Sequence, residues 1–263
     1  MDIGTGKVAR ADRERLPHFG LDLVDPDEPF GVADFVRHAL ETLAACSSAG
    51  RPVILVGGTG LYLRAVGRGL PIGETGHDPA IRERLEARLA EEGIHELVAE
   101  LKDGAPLLAS RTDMTNPRRV VRALERALVV GDRPPAAPTG YDGSIAWIGL
   151  SVEPGAHRAA IGERVGHQFA SGLLEEASTL RARFGDAPRA FSAVGYREAF
   201  DVLDGHRSVD DAIEATAQRT WAYARRQRTW FRSEPGITWL DPADPATSAR
   251  AIREMRRLIA DPR

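Results

Sequence analysis

The chain has 263 residues, a formal net charge of −3, 43% hydrophobic residues and one cysteine, Cys46. That length suits one large domain or a core with an inserted piece, and no run approaches the roughly 18 apolar residues that a membrane span needs. A single cysteine allows no internal disulfide, so a reducing cytoplasm is the expected setting.

In chain order, Leu21 to Val24 reads as a short strand and Asp34 to Ala49 as a helix with Phe35, Val36, Ala39, Leu40 and Leu43 on its apolar face. Gly50-Arg51-Pro52 ends that helix, and Val53 to Val56 reads as a second strand. It runs into Gly57-Gly58-Thr59-Gly60, where a helix begins near Thr59. Strands alternating with helices imply a parallel sheet and an α/β fold. From Asp78 the texture becomes charged and helical, with helices expected at Pro79 to Glu92, Ile94 to Leu101 and Pro117 to Val130. The proline-rich segment Gly131 to Gly143 reads as a linker and Ile145 to Leu150 as a further strand. Helices follow at Ala156 to Phe169, Leu173 to Phe184, Val194 to Leu203, Val209 to Phe231 and Thr247 to Ile259, with Ser208 as the N-cap of the fourth. The expected division is a core from 1–77 and 145–263, with a helical insertion and linker from 78–144.

Two features carry chemistry. The turn at Gly57-Gly58-Thr59 lets a main chain approach a ligand without a Cβ in the way, although any α/β protein can use such a turn structurally. The charge distribution also matters more than its sum. Between Glu214 and Glu234 there is no acid, while Arg219, Arg225, Arg226, Arg228 and Arg232 alternate with Trp221, Tyr223, Trp230 and Phe231. A second basic knot, Arg118, Arg119, Arg122 and Arg126, follows Asn116-Pro117. Either cluster could be a solvated helix face, but two of them in an acidic protein point to a nucleic acid. The seven histidines (His18, His38, His77, His95, His157, His167 and His206) lack metal-ligand spacing, and no G-x-S-x-G elbow supports a hydrolase.

Six motifs in order, MDIGTGK, GVADF, VGGTGLYL, Asn116-Pro117-Arg118-Arg119 with RALE, AVGYRE and YARRQRTWFR, resemble those of the bacterial tRNA dimethylallyltransferases, or tRNA isopentenyl transferases, from Met1 to about Asp241. The resemblance implies a P-loop-type α/β core with a helical insertion that grips a tRNA anticodon stem-loop. It implies a cytoplasmic monomer that transfers a dimethylallyl group from dimethylallyl diphosphate to N6 of the adenine at position 37, with Mg2+ assisting. Carried over residue by residue, Thr59 lies beside the target adenine and Arg164 approaches the diphosphate. Gly57, Gly58, Arg82, Arg118, Arg119, Arg122, Gly195, Tyr196, Arg197 and Arg226 contact the RNA. Tyr196 could equally stack on a base or pack on the sheet. The Thr-Arg pair of the family is Thr220-Trp221 here, which puts any phosphate contact from Trp221 in doubt.

The family's P-loop and general-base aspartate precede the MDIGT motif, and no G-x-x-x-x-G-K-[ST] run occurs in the chain. The expectation is therefore a member truncated before Met1, which binds tRNA weakly and transfers nothing by itself. Two other readings stay open: an RNA-binding remnant without catalysis, and a small-molecule phosphotransferase of the P-loop class.

Overall fold

The computed structural model describes residues 1–70, 78–133 and 140–260. It begins with α1 (Arg10–Arg15), α2 (Val32–Ser48) and α3 (Gly60–Arg64), the last continued by a π-helical turn at Ala65–Gly69. Next come α4 (Pro79–Glu92), α5 (Ile94–Gly104), α6 (Pro106–Ala109) and α7 (Pro117–Val130). After them the order is β1 (Trp147–Leu150), α8 (Pro154–Ala170), α9 (Leu173–Phe184), a 3-10 turn (Arg189–Ser192), α10 (Tyr196–Leu203), α11 (Val209–Arg232), β2 (Ile237–Leu240) and α12 (Thr247–Ala260). The two strands pair in parallel, Trp147 opposite Ile237 and Leu150 opposite Leu240. The fold is thus helix-rich α/β with a small parallel sheet. It divides into two compact units, Met1–Leu63 with Gly143–Arg263, and Arg64–Asp142. No helix among the described residues is long and apolar enough to cross a membrane.

Two expected strands do not form. Leu21 to Val24 and Val53 to Val56 have no ladder partner among the described residues, and Ile54 and Val56 are 69% and 86% exposed. Branched side chains favour a strand only where neighbours pair with it and cover a face. Conversely, β2 and α1 were not expected from the pattern; β2 is a four-residue run whose partner lies far upstream in sequence. Of the expected linker, 134–139 lies outside the described residues, as does His77.

In the first unit, α8 to α11 surround one core. Ile161, Val165 and Phe169 recur every fourth residue on α8 and meet Leu173, Ala177, Tyr196 and Ala199. Local chemistry starts these helices: the Glu153 carboxylate accepts the N–H groups of Gly155 and Ala156 at 2.9 and 2.7 Å, and Ser208 Oγ accepts that of Asp211 at 3.2 Å. Trp221 packs against this core and meets the His157 ring edge-on at 5.9 Å. Its apolar surface is therefore used between α11 and α8. Elsewhere in the unit, the rings of Phe35 of α2 and Tyr62 of α3 pack at 4.9 Å.

The second unit is a helical cluster around Leu85, Leu97, Leu101, Val120, Val121 and Leu124. Asp78 caps α4 through Ala80 and Ile81, and Asn116 caps α7 through Arg119, each followed by proline at the first helical position. An ion pair joins α4 to α7. Glu125 is 1% exposed, takes the Arg82 guanidinium at 2.6 to 3.0 Å through both oxygens, and accepts the Asp78 N–H at 3.0 Å. Removing one partner of a buried pair strands the other charge. Arg82→Met should therefore destabilise this unit by about 3 kcal/mol in urea denaturation, whereas Arg88→Met, whose guanidinium meets Glu92 and Glu100 at the surface, should cost less than about 1 kcal/mol.

Candidate functional site

The glycine turn lies against the C-terminal half of α11. A Cβ on Gly58 would overlap the Gln227 amide, and one on Gly60 would overlap the Trp230 indole. The Thr59 hydroxyl lies 3.1 Å from the Tyr223 hydroxyl, while the Thr59 carbonyl accepts the N–H groups of Tyr62 and Leu63 that open α3. Tyr223, Gln227 and Trp230 occur at i, i+4 and i+7, so one face of α11 receives the whole turn. Of the room that the sequence suggested for a ligand at Gly57-Gly58, the part beside Gly58 is filled by the Gln227 side chain of α11. Gly57 and Thr59 remain exposed beside it.

Next to this contact α11 displays charge. Arg225, Arg226, Arg228 and Arg232 are exposed, and Arg226 lies over the Tyr223 ring at 5.7 Å. Arg225, Arg226, Thr229, Trp230 and Ser233 line an open groove of about 620 Å³. Arg219 differs: its guanidinium pairs with Glu198, 3% exposed, whose other oxygen accepts the Gly195 N–H at 2.9 Å. It ties α10 to α11 and is not part of the exposed basic surface. Arg164 stands exposed on α8, with no ion pair among the described residues.

The segment before α10 separates the alternatives for Tyr196. Its side chain is fully buried and donates its hydroxyl to Glu176, so packing, rather than stacking on a base, is what the structure shows. Burial and the Glu176 carboxylate push the phenol pKa up. Burial also acts to raise Glu176, but the Tyr196 hydroxyl and the main-chain N–H groups of Ile3, Asp2 and Gly4 outweigh it and hold that carboxyl below its usual value. A depressed acid contributes stability above its unfolded pKa and loses it as pH falls through the folded value, so this contact weakens only in acid. Gly195 has φ +97°, open to glycine but strained for other residues, and Arg197 is exposed just after it.

Within the second unit, Arg118, Arg119 and Arg122 lie exposed on the first turns of α7, Arg119 with an ion pair to Asp113 at 3.3 Å. Arg82 is turned to Glu125 and offers far less to a ligand than its position in the motif suggests. The sequence reading missed Gln227 and Glu176. The spacing of Gln227 from Tyr223 and Trp230 could have flagged the first; no local signal marks the second. Among the described residues no three His, Cys, Asp or Glu side chains converge as a metal site.

The two glycines should respond differently to alanine. The end of the Gln227 side chain can swing away, so Gly58→Ala should cost less than about 1 kcal/mol, whereas the rigid indole makes Gly60→Ala an overpacking change of about 2 kcal/mol in urea denaturation, even after the gain in helix propensity.

The chain matches the family described as IPP transferase over residues 1–234. It is 39% identical to a tRNA dimethylallyltransferase of Geobacillus thermodenitrificans, covering 99% of this chain and 84% of that protein. It is 41% identical to one of Pseudarthrobacter chlorophenolicus, covering 95% and 84%. Among solved structures, the full-length tRNA isopentenylpyrophosphate transferase of Bacillus halodurans superposes with a TM-score of 0.68 at 34% identity, covering 99% of this chain and 82% of that one. A eukaryotic dimethylallyltransferase acting on tRNA gives 0.78 over 98% and 69%, and at 22% identity that likeness speaks for the fold alone. The chain belongs to the IPP transferase family of enzymes.

Proposed function

We propose that the chain acts in tRNA modification, supplying the acceptor side of a dimethylallyl transfer to tRNA on a P-loop-type core. The reaction forms a bond from the adenine N6 to C1 of the dimethylallyl group, breaks the C1–O bond to diphosphate, and passes the N6 proton to a base. The observation that carries this reading is the exposed Thr59 hydroxyl, fixed by Tyr223 beside the exposed arginines of α11. A hydroxyl there can orient the N6 amine of an adenine taken out of its stack, with the exposed Gly57 beside it. Arg226 and Arg197 in the first unit, and Arg118, Arg119 and Arg122 in the second, would neutralise phosphates of an anticodon stem-loop. Arg164, with no carboxylate claiming it, has the planar fork that suits a departing diphosphate.

The other half of the chemistry is not written in these residues. They contain no G-x-x-x-x-G-K-[ST] run, so we expect them to hold tRNA without transferring the prenyl group by themselves. Mg2+ is proposed as the family's cofactor. It is commonly held by one or two carboxylates together with substrate phosphates, and no step here runs through it.

Binding tests the reading. An anticodon stem-loop with adenine at position 37 should bind more tightly than one with guanine there, and the affinity should fall steeply with salt. Arg118→Ala should lower the slope of log affinity against log salt by about 0.7 to 0.9, as expected for one lost phosphate contact. Equal binding to an unrelated hairpin of the same length would overturn the assignment to a tRNA anticodon stem-loop. Incorporation of a labelled dimethylallyl group by these residues alone would instead overturn the requirement for a Gly-rich phosphate loop.

A further inference from the structure

The segment from Met1 to Gly4 is held by side chains rather than by a sheet or helix. Glu176, in the first turn of α9, accepts the N–H of Asp2 at 2.8 Å and of Ile3 at 2.9 Å through Oε2. Through Oε1 it takes the N–H of Gly4 at 3.4 Å and the Tyr196 hydroxyl. A carboxylate offers about four acceptor sites, and four donors fill them. Gln168 of α8 grips the same stretch by its carbonyls, its Nε2 donating to Ile3 at 2.8 Å and Gly4 at 3.2 Å. The fit is close as well, since a Cβ on Gly4 would overlap the Tyr196 ring and the Leu173 side chain. Farther along, Thr5, Gly6 and Lys7 line a cleft of about 340 Å³ with Gly20, Leu21 and Asp22, and the Lys7 ammonium lies between the carboxylates of Asp2 and Asp22.

Glu176 therefore touches two things at once: the main chain that leads into this cleft, and the tyrosine that begins α10 between Gly195 and the exposed Arg197. Neither needs a carboxylate for itself. A loop can be packed by apolar groups, and a buried phenol is satisfied by any acceptor. One acidic group serving both fixes them relative to each other.

We propose that Glu176 is a positioning residue for the RNA-facing surface of the first unit, locking the Met1–Gly4 segment and the Gly195–Arg197 turn into one arrangement. The ligand in this statement rests on the proposed tRNA function; the clamp itself does not. Glu176→Gln keeps the shape and packing but turns an amide N–H2 toward the donors, so a space-filling role would survive it and a clamp would not. Amide exchange followed residue by residue by NMR should show Asp2, Ile3 and Gly4 exchanging at least about tenfold faster in Glu176→Gln, with the cores of α8 and α9 unchanged within about threefold. Affinity for the adenine-bearing stem-loop should weaken at least about fivefold, a loss of about 1 kcal/mol. Tyr196→Phe, which removes one of the four donors and keeps the ring, should give smaller changes in both.

Loop exchange within threefold of wild type would overturn the clamp, as would faster exchange spread evenly over α8 and α9. Faster loop exchange with unchanged affinity would overturn the positioning role. Should Glu176→Gln fail to fold, Gln168→Ala, which releases the two carbonyls, takes its place in both measurements, and the same outcomes support or overturn the clamp and the positioning role. A wild-type chain that binds no RNA would sink the proposed tRNA function and, with it, the positioning role, while the exchange rates would still decide the clamp.

Discussion

The close approach of a main-chain turn to one face of a helix is the constraint on which the candidate site depends. Gly58 and Gly60 come so near to Gln227 and Trp230 that a methyl group on either would collide. Because the turn cannot drift from α11, Thr59 is held at a defined distance from Tyr223, and the exposed arginines of α11 are held at a defined place beside Thr59. Two glycines thus let the turn before α3 lie against α11 with its hydroxyl positioned. The α11 face in turn is kept in place by the core it shares with α8, where Trp221 and Ile161 pack on the opposite side.

Carboxylates with little exposure do much of the remaining joining. Glu125 links α4 to α7, Glu198 links the start of α10 to α11, and Glu176 links the first residues of the chain to α9 and α10. Each accepts at least one main-chain N–H at a helix start or in a loop, and each has a second donor from a side chain. An ionised acid with several donors loses little of its hydration without replacement, so its burial is tolerated. Hydrophobic packing has no comparable directionality. It brings helices together, while these acids specify which turn faces which.

How much of this was legible in the sequence follows from the range of each interaction. The bounds of α4, α7 and α9 could be read directly, because Asp78-Pro79, Asn116-Pro117 and the closing glycines Gly93, Gly131 and Gly185 act within a few residues of the ends they set. Strands are different. Val53 to Val56 has the composition of a strand and no partner here, whereas β2 has an unremarkable run and finds β1 some ninety positions upstream. Composition cannot report a partner. The same holds for the site: Thr59 was visible because it lies in a motif, but Glu176 meets Asp2 across 174 positions and leaves no local trace. For Tyr196 the residue type fitted either stacking or packing, and only its enclosure between Glu176 and Gly4 decided the matter.

The arginines show why a count of charges misleads. Several are spent on the fold: Arg82 on Glu125, Arg219 on Glu198, and Arg181 on Asp204 and Asp186. Others are exposed and have no ion pair among the described residues, among them Arg118, Arg164, Arg197, Arg225 and Arg228. Acids are consumed by the first group, and by helix caps such as Asp78 and Glu153, so the net charge of −3 is not spread evenly over the surface. What an approaching polyanion meets is the second group, whose field is not cancelled at contact distance even though the whole chain is acidic. Screening over about 8 to 10 Å at physiological salt makes that local balance, rather than the distant acids, decide whether RNA is attracted.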